Sequence, residues 1–249
     1  MIEALRGRLR HYDPSQLAFQ LAEIAGEQTY LRHGLEVGEV DVVLDVGANV
    51  GVAAAFFATE CGAGLVHSFE PVAPVFALLR ENLAGLEMCV PHPYGLAAVE
   101  GTARITFYRG AAAMSGLYAD PERDRALVRA ALANFGLHGA EADAQLAGRY
   151  EPEVLECELR TLSGFLCQER LDRVDLLKVD VERAELDVLA GIDDEHWPAI
   201  RQVALEAHDE DGRAGAIAAA LTARGFAVTI DQDAAMRGTA VRMLYARRR

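Results

Sequence analysis

The sequence predicts an α/β protein: a doubly wound, mostly parallel sheet of seven strands with an antiparallel hairpin at one edge, an N-terminal helix and an inserted lid. Three observations carry that prediction. Short apolar runs alternate with helix-length segments along most of the chain, and the first run stops at a glycine turn. A chain of 249 residues with 51% hydrophobic content can also bury one large core.

Each element has its own justification. From Pro14 to about Arg32, Leu17, Leu21, Ile24, Tyr30 and Leu31 recur at helical spacing, opened by Asp13 or Ser15 and closed at Gly34. Residues 1–40 are therefore read as a helical cap and 41–249 as the main domain. Val42–Val46 is a short apolar run of the kind covered on both faces of a sheet, and it ends at Gly47-Ala48-Asn49-Val50-Gly51. An alanine-rich helix follows to about Glu60. Leu65–Phe69 is a second strand ending at Glu70-Pro71, and Val75–Leu83 a second crossover helix, which implies right-handed parallel connections. A third strand runs from Met88 to Gly95-Leu96-Ala97, and Ala103–Arg109 with Leu155–Leu162 reads as a hairpin pair. Residues 110–154 between them are polar and long enough to be a lid or binding loop. Regular alternation then returns with strand Val174–Val179, helix Ala184–Leu189, strand Val203–Ala207 and helix Arg213–Arg224. Strands Phe226–Ile230 and Val241–Tyr245 form the edge hairpin.

Charge narrows the function. The 24 basic and 38 acidic residues leave a net charge of −14, which offers no general attraction for phosphate backbones or anionic membranes. The first ten residues carry charges throughout and no apolar run reaches about 18 residues, so neither a secretory signal nor a spanning helix is expected. A cytoplasmic protein without nucleic-acid or membrane partners follows. Cys61, Cys89, Cys157 and Cys167 lack C-x-x-C spacing and lie in segments that read as buried, so free thiols are expected. Lys178 is the only lysine among the basic residues.

In an open parallel sheet, ligands bind beyond the carboxyl ends of the strands. Asp45, Glu70, Asp180 with Glu182, and Glu206 with His208 all fall at or near such ends. Strand ends are wet, which explains any one of them, but the set is larger than packing requires. Gly47 and Gly51 allow close backbone approach to a ligand and tight helix packing. Asp45 before the turn would repel a pyrophosphate and suit a cationic ligand, and the glycine spacing departs from G-x-G-x-x-G, so a nicotinamide cofactor is disfavoured. Glu70, nineteen residues past Gly51, can accept from both hydroxyls of a ribose. An adenosine ligand without phosphates, S-adenosylmethionine, meets these conditions.

The segments D-V-G-A-N-V-G (45–51), F-E-P (69–71), L-L-K-V-D-V-E-R-A-E-L-D-V-L (176–189) and L-E-A-H (205–208) resemble the FkbM-type family of class I methyltransferases, over roughly residues 40–210 and on through the edge hairpin. The resemblance implies a Rossmann-like fold and a natural-product-type O-methyltransferase dependent on S-adenosylmethionine. Carried over, Asp45, Gly47, Asn49 and Gly51 would hold the methionine part, Glu70 with Pro71 the ribose, and Leu96 and Ala97 the adenine, with Asp180 beside them. Two departures stand out: Ala97-Ala98 replaces the family's Ser-Asp pair, and Arg183 replaces a frequent glycine.

Methyl transfer requires an oxygen nucleophile held in line with the leaving sulfur, and a group to take its proton. The candidates are Asp180, Glu182 and His208, with His208 tuned near neutrality by Asp180 or Glu206. The other reading of His208 is a solvated residue in the run His208-Asp209-Glu210-Asp211. A metal version places Mg²⁺ on Asp180, Glu206 and His208. Lys178 is expected to pair with Glu182 or Glu185, while Tyr108 and Tyr118 flank the substrate mouth. The expected partner is a small-molecule hydroxyl, free or presented by an acyl carrier protein. A non-catalytic module for S-adenosylmethionine or nucleosides and an NAD-dependent oxidoreductase are the rivals.

Overall fold

The computed structural model describes residues 7–248, so the first six residues of the expected cap and Arg249 lie outside the described residues. Seven strands form the main sheet in the order β3-β2-β1-β7-β8-β10-β9. They are β1 (Val42–Val46), β2 (Leu65–Phe69), β3 (Cys89–His92), β7 (Leu176–Val179), β8 (Gln202–His208), β9 (Phe226–Asp231) and β10 (Val241–Arg248). The pairs β1–β2, β1–β7, β2–β3 and β7–β8 are parallel, whereas β10 runs antiparallel to both β8 and β9. The edge hairpin is therefore present, with its second strand inserted beside β8.

Two apolar layers sandwich the sheet. One face is covered by α1 (Pro14–Gln20), α2 (Val52–Thr59) and α3 (Ala73–Leu83), burying Leu17, Phe57, Val66 and Leu79. The other is covered by α6 (Leu162–Glu169), α7 (Glu185–Ala190) and α8 (Arg213–Ala223), burying Leu44, Phe165, Val188 and Leu221. Strand side chains alternate between these layers, so Val43 and Asp45 point to the first and Leu44 and Val46 to the second.

The sequence reading needs four corrections. The N-terminal helix is capped by Asp13, whose carboxylate accepts the Ser15 and Gln16 amides, and it ends at Gly26 rather than near Arg32. Its last part, Leu21–Gly26, is a π-helical turn. The third strand breaks after His92; Gly95–Leu96, β4, joins a separate small sheet of order β4-β6-β5 with β5 (Gly101–Tyr108) and β6 (Pro152–Arg160). The predicted hairpin is this β5–β6 antiparallel pair, but Leu162–Glu169 is a helix capped by the Thr161 hydroxyl, which accepts the Gly164 amide. The insertion is helical: α4 (Pro121–Asn134) starts at the Asp120 cap with Pro121 in its first turn, and α5 (Gly139–Leu146) follows. Its polar composition hid a satellite core of Tyr108, Ala111, Leu146 and Tyr150, supported by Val128 and Leu132. The four cysteines are free, as expected, but Cys167 is exposed.

Candidate active site

The turn after β1 is shaped by backbone that no other residue tolerates. Gly47 has φ +79°, and a Cβ there would lie 1.8 Å from the carbonyl oxygen of Asp180. Gly51, φ +90°, backs onto Leu79, which a Cβ would meet at 2.8 Å. Only glycine meets both demands, positive φ and close approach. The two glycines differ in role: Gly47 lines a cavity with Val46, Asn49, Glu70, Pro71 and Leu96, whereas Gly51 packs α2 against α3. Glu70, buried at the end of β2, accepts from the amides of Asn49 (3.0 Å) and Val72 (2.8 Å). Burial pushes its carboxyl up to about 7, against the lowering by those two amides. Ile105, Leu117 and Leu159 add an apolar wall that sequence reasoning did not foresee. Ala112–Leu117 closes over this turn-side cavity, leaving about 60 Å³.

Asp45 and Ala97 do not line that cavity. Asp45 is fully buried beneath the turn and lies 3.0 Å from Nζ of Lys178, its register partner on β7. Lys178 also donates to the carbonyl of Gly47 (2.8 Å) and stands 3.9 Å from Asp180. Burial works against its charge, but Asp45 first and then Asp180 outweigh it, and the net shift is upward. The expected pairing of Lys178 with Glu182 or Glu185 is thus corrected: its side chain points to the α1–α2 face and fastens the glycine turn from below. Ala97 packs instead against Gly191, where a Cβ would meet the Ala97 carbonyl oxygen at 2.2 Å.

A second cavity of about 450 Å³ opens between α1, the lid and the ends of β7 and β8. Its walls include Phe19, Met114, Leu132 and Phe135, and its polar end carries Glu23, Asp180, Glu182, Glu206 and His208. The structure therefore does unite the three residues proposed to take the proton. Their partners differ from expectation. His208 is buried with Nε2 3.2 Å from Glu182 and Nδ1 3.3 Å from Glu185, instead of pairing with Asp180 or Glu206. Burial alone would lower its pKa; the charge and hydrogen bond of Glu182, then that of Glu185, raise it to about 11. His208 is an imidazolium across the neutral range, not the near-neutral imidazole nor the solvated histidine of the sequence readings.

Three carboxyls of this polar end, Glu182, Glu206 and Glu23, are shifted upward. Burial raises Glu182 above the usual range while the His208 charge pulls it back. Burial and the charges of Asp180 and Glu23 raise Glu206 well above its ordinary value, and burial with the neighbouring acids lifts Glu23 to about 8. Asp180 accepts the hydroxyl of Tyr30 at 2.7 Å. In the expected metal triad, Glu182 replaces Asp180: Glu182, Glu206 and His208 each bring one ligand atom within 4.8 Å of the others. Tyr108 is buried and donates to Asp124, and Tyr118 donates to Asp187 on the outer surface, so neither flanks the cavity mouth. Glu23 at this site, Tyr30 as the partner of Asp180 and Glu185 as the partner of His208 have no counterpart in the sequence reading; the π-helical turn carrying Glu23 leaves no mark in apolar spacing.

Comparison with known proteins agrees with this architecture. A profile of the methyltransferase FkbM domain matches residues 45–228. The chain is similar to the 31-O-demethyl-FK506 methyltransferase FkbM of Streptomyces tacrolimicus, 36% identical over 100% of this chain and 98% of the relative. It is also 38% identical to part of the AMB antimetabolite synthetase AmbE of Pseudomonas aeruginosa, over 87% of this chain but only 11% of that protein. The crystal structure of a methyltransferase FkbM from Methylobacillus flagellatus superposes with TM-score 0.57 at 16% identity, covering 98% of this chain and 57% of the other, and shares the fold. The glycine turn, the strand-end carboxylates and these similarities lead to one conclusion: the chain belongs to the FkbM methyltransferase family.

Proposed function

We propose that the chain transfers a methyl group from S-adenosylmethionine to a hydroxyl of a natural-product-type small molecule with a largely apolar body. The observation that carries this reading is that the two cavities meet, because Asp180 and Glu182 line both. The turn-side residues suit an adenosyl ligand: Glu70 for the ribose hydroxyls, the Gly47–Asn49 backbone for the amino-acid end, and Leu96, Leu117 and Ile105 as an apolar slot for the base. When bound, S-adenosylmethionine supplies a methyl group on a cationic sulfur. Its entry requires Ala112–Leu117 to swing outward from the narrow space they leave.

The chain's residues then have separate tasks. The apolar lid side holds the acceptor's body and excludes water. Glu182 takes the hydroxyl proton: burial makes it a stronger base than a solvated carboxylate, while the neighbouring His208 charge opposes that rise and favours the ionised form. Asp180, fixed by Tyr30, orients the hydroxyl toward the turn side. The name of the FK506-type relative, a 31-O-demethyl substrate, supports oxygen as the acceptor atom. A second form, in which a carrier protein presents the acceptor, draws on the match to 11% of the length of the synthetase AmbE, where a similar segment is one part of a much longer chain. Net charge of −14 favours a small molecule over nucleic acid, and among the described residues no helix is long and apolar enough to cross a membrane, in keeping with a cytoplasmic enzyme.

Calorimetric titration with S-adenosylmethionine, S-adenosylhomocysteine and NAD tests the cofactor, with micromolar binding expected for the first two alone. NAD binding with silence toward both adenosyl compounds overturns the reading in favour of an oxidoreductase. Binding without S-adenosylhomocysteine formation across a panel of hydroxylated macrolides and cyclic alcohols points to the non-catalytic module. Turnover that survives exhaustive chelation removes the Mg²⁺-assisted form on Glu182, Glu206 and His208.

A further inference from the structure

The turn that carries Glu182 continues through Arg183, and both residues adopt left-handed backbone, φ +52° and +76°, although neither is glycine. Non-glycine residues persist there only where their surroundings overdetermine them. For Arg183 those surroundings are specific. Its guanidinium, 4% exposed, places Nη1 2.6 Å from Oδ1 of Asp124 and Nε 3.0 Å from Oε1 of Glu210. Its backbone N–H donates to Oε1 of Glu185 at 2.8 Å, and its carbonyl accepts from Arg213 at 2.9 Å.

Both ends of this connection matter. Asp124 sits in the first turn of the lid helix α4, is fully buried, and accepts the Tyr108 hydroxyl (3.0 Å) and the Asp120 amide (2.9 Å). Among the described residues its one ion-pair partner is Arg183. At the other end, the Glu185 oxygen that accepts the Arg183 amide also faces Nδ1 of His208 at 3.3 Å, while Nε2 of the same ring faces Glu182. Removing either partner of a buried ion pair leaves an uncompensated charge, so the lid docks fully only when Arg183 holds its strained conformation. The dependence runs both ways, as any coupling must.

We infer that Arg183 is a positioning residue, coupling the docking of the lid helix Pro121–Asn134 to the placement of Glu182 and His208. The lid is then more than a cover over the larger cavity: its docking assembles the polar end beneath it. This coupling goes beyond the proposed reaction and does not depend on the acceptor's identity.

The full-length chain saturated with S-adenosylhomocysteine provides the test, with Arg183→Gly, Asp124→Asn and the double variant. Glycine accepts the turn's φ without strain, and asparagine keeps the shape at Asp124, so neither change forces the backbone elsewhere. Hydrogen exchange followed by mass spectrometry is expected to be at least tenfold faster across residues 121–134 in each single variant, with the amides of β8 unchanged. The imidazole ¹⁵N resonances of His208, assigned by their loss in His208→Asn, are expected to move in both, and the double variant to add nothing beyond the larger single effect. A purely structural anchor would loosen the lid and leave those resonances alone. The proposal is overturned if Asp124→Asn frees α4 without moving the His208 resonances, or if neither variant loosens α4. Should Arg183→Gly not fold, Asp124→Asn decides the matter, since it lies outside the turn. No methyl acceptor is needed, so failure here leaves the proposed reaction standing.

Discussion

The turn side and the lid side of Glu182 are built by different means. The turn-side wall is anchored on two short segments at the ends of neighbouring strands, Val46–Asn49 and Phe69–Pro71, and is completed by the apolar slot, the Ala112–Leu117 stretch and the Asp180–Ala184 turn. The lid-side wall draws on residues from Ser15 to Val241, contributed by α1, the insertion and the ends of β7 and β8. The first depends on backbone geometry and a buried ion pair, the second on apolar bulk and on acids that desolvation shifts upward. Binding a shared ligand part thus rests on rigid local structure, whereas acceptor choice rests on parts that can change without dismantling the sheet.

This contrast makes a ranked set of expectations. The largest effect falls on the turn side. Gly47→Ala drives a methyl into the Asp180 carbonyl and is expected to cost more than about 4 kcal/mol, measured as loss of the cooperative urea transition. A variant that folds with near-normal stability would break the contrast. Lys178→Met leaves Asp45 charged and buried, with an expected cost of about 3–5 kcal/mol; adding Asp45→Leu should recover most of it. If the double variant is no better than the single, Lys178 acts through its bond to the Gly47 carbonyl instead.

Glu182→Gln sits where the two sides meet. Urea stability and S-adenosylhomocysteine affinity are expected to stay near those of the parent, while methyl transfer slows roughly 10²- to 10⁴-fold. Retained turnover would assign the proton to another group.

The lid side responds to pH. Glu23 has its pKa raised by burial to about 8 from an ordinary 4.5, so the folded chain holds a proton there that the unfolded chain has released. Its contribution is present below about pH 4.5 and is lost as pH rises toward 8. Glu23→Gln should therefore raise the thermal midpoint more at pH 8.5 than at pH 4, by an amount worth as much as a few kcal/mol, since each unit of upward shift is worth about 1.4 kcal/mol. An equal gain at both pH values would show that the carboxyl is not held neutral.

The same division explains what could be read in advance. Val42–Val46, Leu65–Phe69 and the edge hairpin announce themselves through runs and alternation, because strand pairing against a core leaves a local pattern. Gly47 and Glu70 were legible because a turn's φ and a strand's end are set by near neighbours. Helix α6 has no counterpart in the sequence reading because Leu162 extends the strand's apolar alternation by one residue past its end, and only the Thr161 cap marks the change. The lid's helices were hidden by polar composition, although Asp120-Pro121 is a helix-start signal.

The sequence by itself determined the sheet, the glycine turn and the residue types gathered at the strand ends, because these follow from periodicity and backbone sterics over a few neighbouring residues. Tertiary structure alone decided which charges meet. Lys178 reaches Asp45 because β1 and β7 lie side by side, His208 lies between Glu182 and Glu185, and Arg183 finds Asp124 fifty-nine residues earlier in the lid. Buried charges choose partners by distance and desolvation in the folded chain, and neither quantity is written in the spacing of residues along it.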